Sequence, residues 1–313
     1  MRSLGVFAAP KKPNVQGLLR QLVALAEAHQ IAIHIQKGIA REIGREDLGS
    51  DSDDAIAACD VLVTLSGDGG VLTAARATAR YGTPVLAVDL GRLGFLSSVR
   101  PTELEQAFTM LVEGKFEVEE RMMLDARVFR SHGTQHSALS TQHSPPDNSH
   151  STIRNEVGGS IGLNDAVVAK SALARILRLS IFVSGDLVAE TRADGLIIST
   201  PTGSTAYALS AGGPIIHPDV PSLLICPICA HSLTQRPVIV DSGETIEVHA
   251  EWEGDEVSSS ELEAMLTIDG QIGVFLQSGD VVQVKRADCK ARLLHLPRET
   301  FYERLREKMR WGR

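Results

Sequence analysis

A buried strand that runs straight into glycine and acid constrains this chain more than any other feature. Val61 to Leu65 is apolar apart from Thr64, Ser66-Gly67-Asp68-Gly69-Gly70 follows at once, and Val71 to Tyr81 then has helical spacing. A strand, a tight glycine junction and a helix in succession belong to a parallel sheet covered by helices, where ligands sit at the carboxyl ends of the strands. The flanking sequence keeps the same rhythm. Leu4 to Ala8, Ile31 to Ile35 and Pro84 to Val88 read as strands, and Val15 to His29 sets Leu18, Leu19, Leu22, Val23, Leu25 and Ala26 at helical spacing. Thr102 to Val112 is a further helix behind Pro101.

The texture changes near residue 100. Phe116 to Arg130, Ile176 to Val183, Leu187 to Thr191, Leu196 to Ser199, Val238 to Val240, Thr245 to Ala250, Met265 to Ile268 and Val281 to Lys285 are strand-like, with no long helical pattern between them. The chain is therefore expected to form an α/β N-terminal domain with a parallel sheet over 1–100 and a β-rich C-terminal domain over 101–299. Thr300 to Arg310 is a polar amphipathic helix with Phe301, Leu305 and Met309 on one face, and the end of the chain, 300–313, is expected to pack back on the first domain. Ser131 to Ser160 is rich in Ser, Thr, Gln, Gly and His and nearly free of large apolar residues, so it predicts a flexible insertion at 131–160. It carries His132, His136, His143 and His150, but no nearby Cys or acidic pair completes a metal site, and a solvated loop is the better reading.

Composition narrows the class. With 43% apolar and 22% charged residues in 313, a packed core is available and global disorder is excluded. The net charge of -8 argues against a nucleic-acid partner. No apolar run reaches the roughly 18–20 residues that span a bilayer, and Met1 to Pro10 lacks the features of a secretion signal. Four cysteines are too few for a disulfide scaffold, and Cys226-Pro227-Ile228-Cys229 lacks the second pair a zinc ribbon needs. The expectation is a cytoplasmic protein with no membrane and no nucleic-acid partner.

Four stretches could carry chemistry. Glycines at 67, 69 and 70 let backbone approach a ligand, and the N–H groups that open the next helix favour anions. The Gly-x4-Gly-Lys spacing of a Walker loop is missing, as is Gly-x-Gly-x-x-Gly. An acid inside a phosphate cradle would repel phosphate, but Asp68 makes sense as the acceptor of a substrate proton or as a group facing a metal ion; its bland reading is a helix cap. Ala193-Asp194-Gly195 leads through a strand into Ser199-Thr200-Pro201-Thr202-Gly203-Ser204-Thr205-Ala206-Tyr207, small donors that suit ribose or phosphate, or else only a capped Ser/Thr connection ahead of a small-residue helix. Asn164-Asp165 before an apolar strand is a turn or a reader of a hydroxyl pair. Asp269-Gly270 lies between alternating residues, as in a hairpin.

Taken in order, these segments resemble the NAD kinase family from about Val61 to Asp288. The resemblance is carried by Asp194-Gly195-Leu196-Ile197-Ile198-Ser199-Thr200-Pro201-Thr202-Gly203-Ser204-Thr205-Ala206-Tyr207 followed by Ser210-Ala211-Gly212-Gly213-Pro214. Gly91 to Leu96, Asn164-Asp165, the Pro227 to Leu233 stretch and Asp269-Gly270-Gln271 support it. It implies a nucleotide-binding α/β domain, a sandwich-like β domain that binds NAD, and transfer of the terminal phosphate of ATP, or of polyphosphate, to the 2′-hydroxyl of the adenosine ribose of NAD, giving NADP. It further implies a divalent cation such as Mg²⁺ held mainly through the nucleotide phosphates, with no dedicated protein metal ligands, and a homo-oligomer, dimer or tetramer.

By position, the resemblance makes Asp68 the general base, with Gly69 beside it against the dinucleotide. Asn164 and Asp165 become the pair on NAD ribose hydroxyls. Arg175, Arg192 and Asp194 are further NAD contacts, the run Thr205, Ala206, Tyr207, Ala208, Leu209 and Ser210 wraps the ligand, and Gln271 is a polar contact. Gly67, Gly69 and Gly70 form the phosphate-donor loop. The family usually has Gly-Gly-Asp-Gly-Thr there; Ser66 replaces its first Gly and Gly70 its Thr, which bears on the donor contacts and the opening turn of the helix. Asp165 stands where Glu is common. Two other readings compete: a lipid or sugar kinase of related chemistry, disfavoured by the lack of a basic amphipathic membrane stretch, and a non-catalytic dinucleotide sensor, favoured only by Ser66 and Gly70.

Overall fold

The structure is a computed structural model and describes residues 1–12, 14–91, 94–131, 154–170, 176–232, 234–252, 264–295 and 300–309. The chain divides into two units: Met1–Met123 with Ile216–Val220 and Ala287–Arg313, and Leu124–Ile215 with Pro221–Arg286.

In the first unit, β1 (Ser3–Ala8), α1 (Val15–Ala28), β2 (Ala32–Gln36), α2 (Lys37–Glu42), β3 (Gly49–Ser50), α3 (Asp53–Ala57), β4 (Val61–Ser66), α4 (Asp68–Thr78), β5 (Val85–Asp89) and α5 (Leu104–Val112) follow in chain order. The strands are parallel, in the order β3-β2-β1-β4-β5. Every residue of β4 and β5 is buried, as near-continuous apolar runs are when both faces of a sheet are covered. α1 buries Leu18, Leu19, Leu22, Val23 and Ala26, and α5 buries Leu104, Ala107, Phe108 and Leu111, one helical stripe each. Phe108 is 1% exposed, and its truncation to Ala is expected to cost about 3–5 kcal/mol.

One boundary differs from the expected one and matters for chemistry. α4 begins at Asp68, not at Val71, because Gly67 is extended and serves as its N-cap. An acid in the first turn complements the helix dipole by about 0.3–1 kcal/mol and offsets part of the cost of two glycines there.

β6 (Glu117–Ser131) is followed in the second unit by β7 (Arg154–Gly162), β8 (Asp165–Lys170), β9 (Leu177–Val183), β10 (Asp186–Ala193), β11 (Gly195–Ser199), α6 (Tyr207–Ser210), β12 (Ser222–Ile228), β13 (Val238–Asp241), β14 (Ile246–Glu251), β15 (Ala264–Ile268) and β16 (Ile272–Leu276). Six strands form an antiparallel sheet in the order β13-β12-β11-β8-β15-β16. β17 (Val281–His295) starts antiparallel to β14, which pairs β9 and through it β10. Its last residues, Leu293 and Leu294, pair in parallel with β5 of the first unit. The expected fold class holds: a parallel α/β unit and an antiparallel β-rich unit.

Three expectations need correction. The first unit runs to Met123 and not to about residue 100, because α5 buries its apolar stripe in that unit's core. The flexible insertion of 131–160 is too long, because Arg154 to Ser160 lie in β7 and pair with β6 from Ser131↔Arg154 to Ala126↔Ser160. Composition measures how much side chain can be buried, whereas a hairpin arm is held by backbone hydrogen bonds that polar and glycine residues also make. The histidine-bearing part, 132–153, lies outside the described residues. The small-residue helix expected behind the hydroxylated loop and reaching Gly212-Gly213-Pro214 is shorter: the loop holds a 3-10 turn, Thr202–Thr205, and α6 ends at Ser210, with Ala206 at φ -100 and ψ -125 between them. The Ser204 hydroxyl donates to the Pro201 carbonyl and the Thr205 hydroxyl to that of Thr202, a local competition that short hydroxylated side chains bring.

The C-terminal helix α7 (Phe301–Met309) belongs to the first unit. It buries Leu305, while Met309 is exposed, and its main anchor is ionic. Buried Arg304 reaches His295 Nδ1 at 3.0 Å and Glu119 at 3.5 Å, and Glu119 also pairs with Arg121 and His295 at 2.7 Å each. Burial pushes the Glu119 carboxyl up, but the hydrogen bonds from His295 and Arg121 outweigh it and hold it well below the carboxylate range. Among the described residues, no helix is long and apolar enough to cross a membrane.

Candidate active site

In the first unit, chemistry gathers at the end of β4. Asp68 is the first helical residue of α4, and its carboxylate is held by the segment that follows β5. The Phe95 N–H donates to Oδ2 at 3.0 Å and the Ser97 hydroxyl to Oδ1 at 3.1 Å. Gly94 lies so close over this carboxylate that a Cβ there would meet Oδ1 at 1.8 Å, so only glycine lets the segment close on Asp68. Two donors leave lone pairs on both oxygens for a substrate hydroxyl. The same segment is tied at its start, where Leu90 N–H donates to the Ser66 carbonyl and Gly91 N–H to Asp89 Oδ1 at 2.8 Å. Asp89 is 4% exposed, and its Oδ2 is buried without a hydrogen-bond partner among the described residues.

The stretch expected to form the donor loop is the opening turn of α4 itself. Gly67 caps it, and the Gly70 and Val71 N–H groups donate to the Gly67 carbonyl. Gly69 and Gly70 sit in the first turn, at the positive end of the helix dipole, where phosphate oxygens are favoured.

In the second unit, a different acidic centre forms where β8 begins. Asp269, in the hairpin between β15 and β16, accepts backbone N–H groups from Leu163 at 3.0 Å, Asn164 at 2.7 Å and Asp165 at 3.4 Å. Asp269 and Gly270 both have positive φ, 53° and 63°, so the expected hairpin is present and also serves as an anchor. Asp165 is 5% exposed. Burial and the facing Asp269 charge push its carboxyl up to about 7. The Asn164 carbonyl accepts from Thr200 N–H at 2.9 Å and from the Ser199 hydroxyl at 3.2 Å, and the Thr200 hydroxyl donates to the Leu163 carbonyl at 2.6 Å. The Asn164-Asp165 turn and the Ser199–Thr205 loop are thus one hydrogen-bonded construction, and the turn expected at Asn164-Asp165 is present.

The remaining predicted residues scatter around this construction. In α6, Tyr207 is 47% exposed, Ala208 is buried, and Leu209 and Ser210 follow. Gln271 closes the hairpin turn through its N–H to the Ile268 carbonyl. The Asp194 carboxylate pairs with Lys170 at 2.8 Å. Arg192, on β10, lies opposite Arg178 of β9 and lines a cavity of about 400 Å³ with Ile176, Arg178, Glu251 and Trp252; Asn164 and Asp165 are not in its wall. Arg175 lies outside the described residues.

Sequence reasoning missed three functional neighbours: Phe95 and Ser97, which hold Asp68, and Asp269, which holds the Asn164-Asp165 turn. Gly94 and the Asp-Gly pair were visible signals, but their partners are distant in the chain. Among the described residues, no group of three or more His, Cys, Asp or Glu side chains could hold a metal ion. Carboxylate oxygens of Asp68 and Asp89 do stand at one end of the parallel sheet, and the orphaned Asp89 Oδ2 is a donor of the kind a hard cation or its water uses.

Comparison with known proteins places the whole chain in one family. Residues 10–116 match the family of the ATP-NAD kinase N-terminal domain and residues 163–296 that of the ATP-NAD kinase C-terminal domain. The chain is 38% identical over 312 residues to the NAD kinase of Geobacter metallireducens (strain ATCC 53774 / DSM 7210 / GS-15), covering 100% of this chain and 99% of that protein. It is also 38% identical over 312 residues to the NAD kinase of Moorella thermoacetica (strain ATCC 39073 / JCM 9320), covering 100% and 90%. Among solved structures, yeast NADH kinase complexed with NADH shares the fold at a TM-score of 0.84 and 23% identity, over 100% of this chain and 88% of that one. An NAD kinase from Archaeoglobus fulgidus in complex with ATP does so at 0.70 and 21%, over 99% of both chains.

Proposed function

The chain belongs to the NAD kinase family, and we propose that its two acidic centres divide the reaction between them, Asp68 moving the proton and the Asn164-Asp165 turn holding the dinucleotide. The protein is an NAD kinase: it phosphorylates NAD with ATP. The terminal phosphate goes to the 2′-hydroxyl of the adenosine ribose. Asp68 accepts that hydroxyl proton as the oxygen attacks phosphorus in line, ADP leaves, and the proton passes from Asp68 to solvent. The observation that carries this reading is the Asp68 carboxylate, set on the first turn of α4 and steadied by Phe95 N–H and the Ser97 hydroxyl with lone pairs to spare.

Phosphoryl transfer asks mainly for positioning and charge neutralisation. The Gly67–Gly70 turn offers the donor phosphates the positive end of the α4 dipole and close backbone approach. A divalent cation bound with the triphosphate, Mg²⁺ in the simplest case, would supply charge neutralisation to the transferring group. Asp89, with its orphaned Oδ2, is the carboxylate of this chain that would hold it or its water. On the dinucleotide side, Asn164 offers an amide and Asp165 a carboxylate to ribose hydroxyls, Tyr207 an exposed ring, and Arg192 and Asp194 charge. Self-association as a dimer or tetramer is supported by exposed apolar residues on two edge strands, Leu187 and Val188 on β10 and Val238 and Ile239 on β13.

The test is purified protein with Mg²⁺ and NAD, offered ATP or polyphosphate and scored for NADP. NADP is expected with ATP. Activity on diacylglycerol or a hexose phosphate with none on NAD would overturn the substrate, and NAD binding without turnover would make the chain a sensor.

A further inference from the structure

Gly70 is a poor choice by local rules. It stands in the first turn of an eleven-residue helix directly after another glycine, where each glycine costs about 0.5–1 kcal/mol against alanine. Its φ is not in the left-handed region, so no backbone demand explains it. The explanation lies in β4. A Cβ on residue 70 would fall 2.0 Å from Ser66 Oγ and 2.4 Å from Ser66 Cβ. Ser66 cannot swing away cheaply. It is 5% exposed, its hydroxyl lies 2.9 Å from Thr64 Oγ1, and it donates to the Gly67 carbonyl at 3.0 Å. That carbonyl is the one that takes the Gly70 and Val71 N–H groups and closes the turn carrying Asp68.

We propose that Ser66 and Gly70 are a sterically exclusive pair in which one hydroxyl-bearing side chain fills the space beneath the opening turn of α4, with Ser66 the positioning residue that sets Asp68. The two departures from the pattern that the resemblance leads one to expect, Ser for Gly at 66 and Gly for Thr at 70, are then one exchange. The hydroxyl is carried by the strand instead of the helix, the volume stays filled, and the donor turn keeps its backbone. Ser66 and Gly70 therefore do not mark a catalytically silent chain. This inference rests on the NAD kinase reading for its kinetic arm and on packing alone for its thermal arm.

The experiment compares wild type, Ser66→Gly, Gly70→Thr and the double variant Ser66→Gly/Gly70→Thr, each assayed for NADP formation well below its own melting temperature. Gly70→Thr is expected to lower the melting temperature by roughly 5 °C. It is expected to lower kcat by about 100-fold with the KM for NAD unchanged, because the turn that carries the base is displaced. Ser66→Gly should lose kcat by only about 3–10-fold, from a looser turn. The double variant should recover at least about tenfold of the kcat lost by Gly70→Thr and regain most of the lost melting temperature, a coupling far from additive. Gly70→Ala, alone and with Ser66→Gly, repeats the cycle with a smaller side chain in case Gly70→Thr does not fold. A wild-type-like Gly70→Thr, or a double variant no better than Gly70→Thr, overturns the pairing. An inactive wild type whose melting temperatures still show the coupling would instead overturn the NAD kinase reading and leave the pairing standing.

Discussion

The two acidic centres of this chain are built in opposite ways. Asp68 stands at a helix N-terminus and receives two donors, a backbone N–H and a hydroxyl, from one folded-over segment. In the second unit the donors go to Asp269, which takes three backbone N–H groups, while Asp165 beside it is buried and its carboxyl is pushed up to about 7. A carboxylate that must take a proton from a weakly acidic hydroxyl and pass it on has to be held still with lone pairs free. A carboxylate proposed to recognise a ribose can instead sit buried beside a second acid, as Asp165 does at 5% exposure. The contrast teaches that the two carboxylates differ less in charge than in where the neighbouring donors go, and on the proposed reading that difference separates the catalytic acid from the binding one.

The harshest test of that division is Asp68→Asn. It keeps the shape and removes the proton acceptor, so kcat should fall by about 10²–10⁴ while the KM for NAD stays within a few-fold, read by steady-state kinetics on NADP formation. An Asp165→Asn variant with the same kcat loss would erase the distinction. Next in size is Asp269→Ala. Three backbone N–H groups lose their acceptor, stability should fall by about 1–3 kcal/mol in denaturant titration, and the KM for NAD should rise by about tenfold as the Asn164-Asp165 turn loosens.

Asp165→Asn sharpens the comparison through pH. The folded-state value near 7 lies above the ordinary 3.8, so the folded protein binds this proton more tightly than the unfolded chain does. Native stability therefore falls as pH rises from about 4 to about 7 and stays at the lower level above that. Removing the charge should stabilise the fold at pH 8, by an amount bounded on the order of 4 kcal/mol and read as a higher melting temperature, and leave it nearly unchanged at pH 4. The same variant should raise the KM for NAD by about tenfold or less, the loss of one hydrogen bond to a charged acceptor. A melting temperature that drops equally at both pH values would mean that Asp165 is a structural hydrogen-bonding group and not a dry carboxylate waiting for ligand.

How much of this was readable in the residues alone depends on the range of each interaction. The parallel half follows from apolar runs and helical stripes that local periodicity encodes, and Asp68 is visible because a glycine junction announces it. The start of α4 is less so: the glycines read as a loop, while the extended Gly67 and the favourable acid let the helix begin three residues earlier. The holders of Asp68 come from 27 and 29 residues away and those of the Asn164 turn from 104 to 106, and no local pattern links a carboxylate to donors at such separations. β7 was hidden for another reason. Its glycines and polar residues are poor core formers, yet they pair with β6 through the backbone, which composition does not register.

Ser97→Ala carries the smallest expected effect and bears most directly on how the first centre differs from the second. It deletes one of the two donors to Asp68 and leaves the Phe95 N–H in place. Ser97 is 1% exposed, so the change also leaves Asp68 Oδ1 short of a partner in a site where water must now compete for it. If fixed donors are what make Asp68 a competent base, kcat should fall by about 3–10-fold with the KM for NAD unmoved, and Ser97→Thr, which keeps the hydroxyl, should recover most of it. If Ser97 merely packs, Ser97→Ala and Ser97→Thr should differ in melting temperature and not in kcat. The first outcome ties catalytic competence to the segment after β5, and the second would reduce the contrast between the two centres to burial alone.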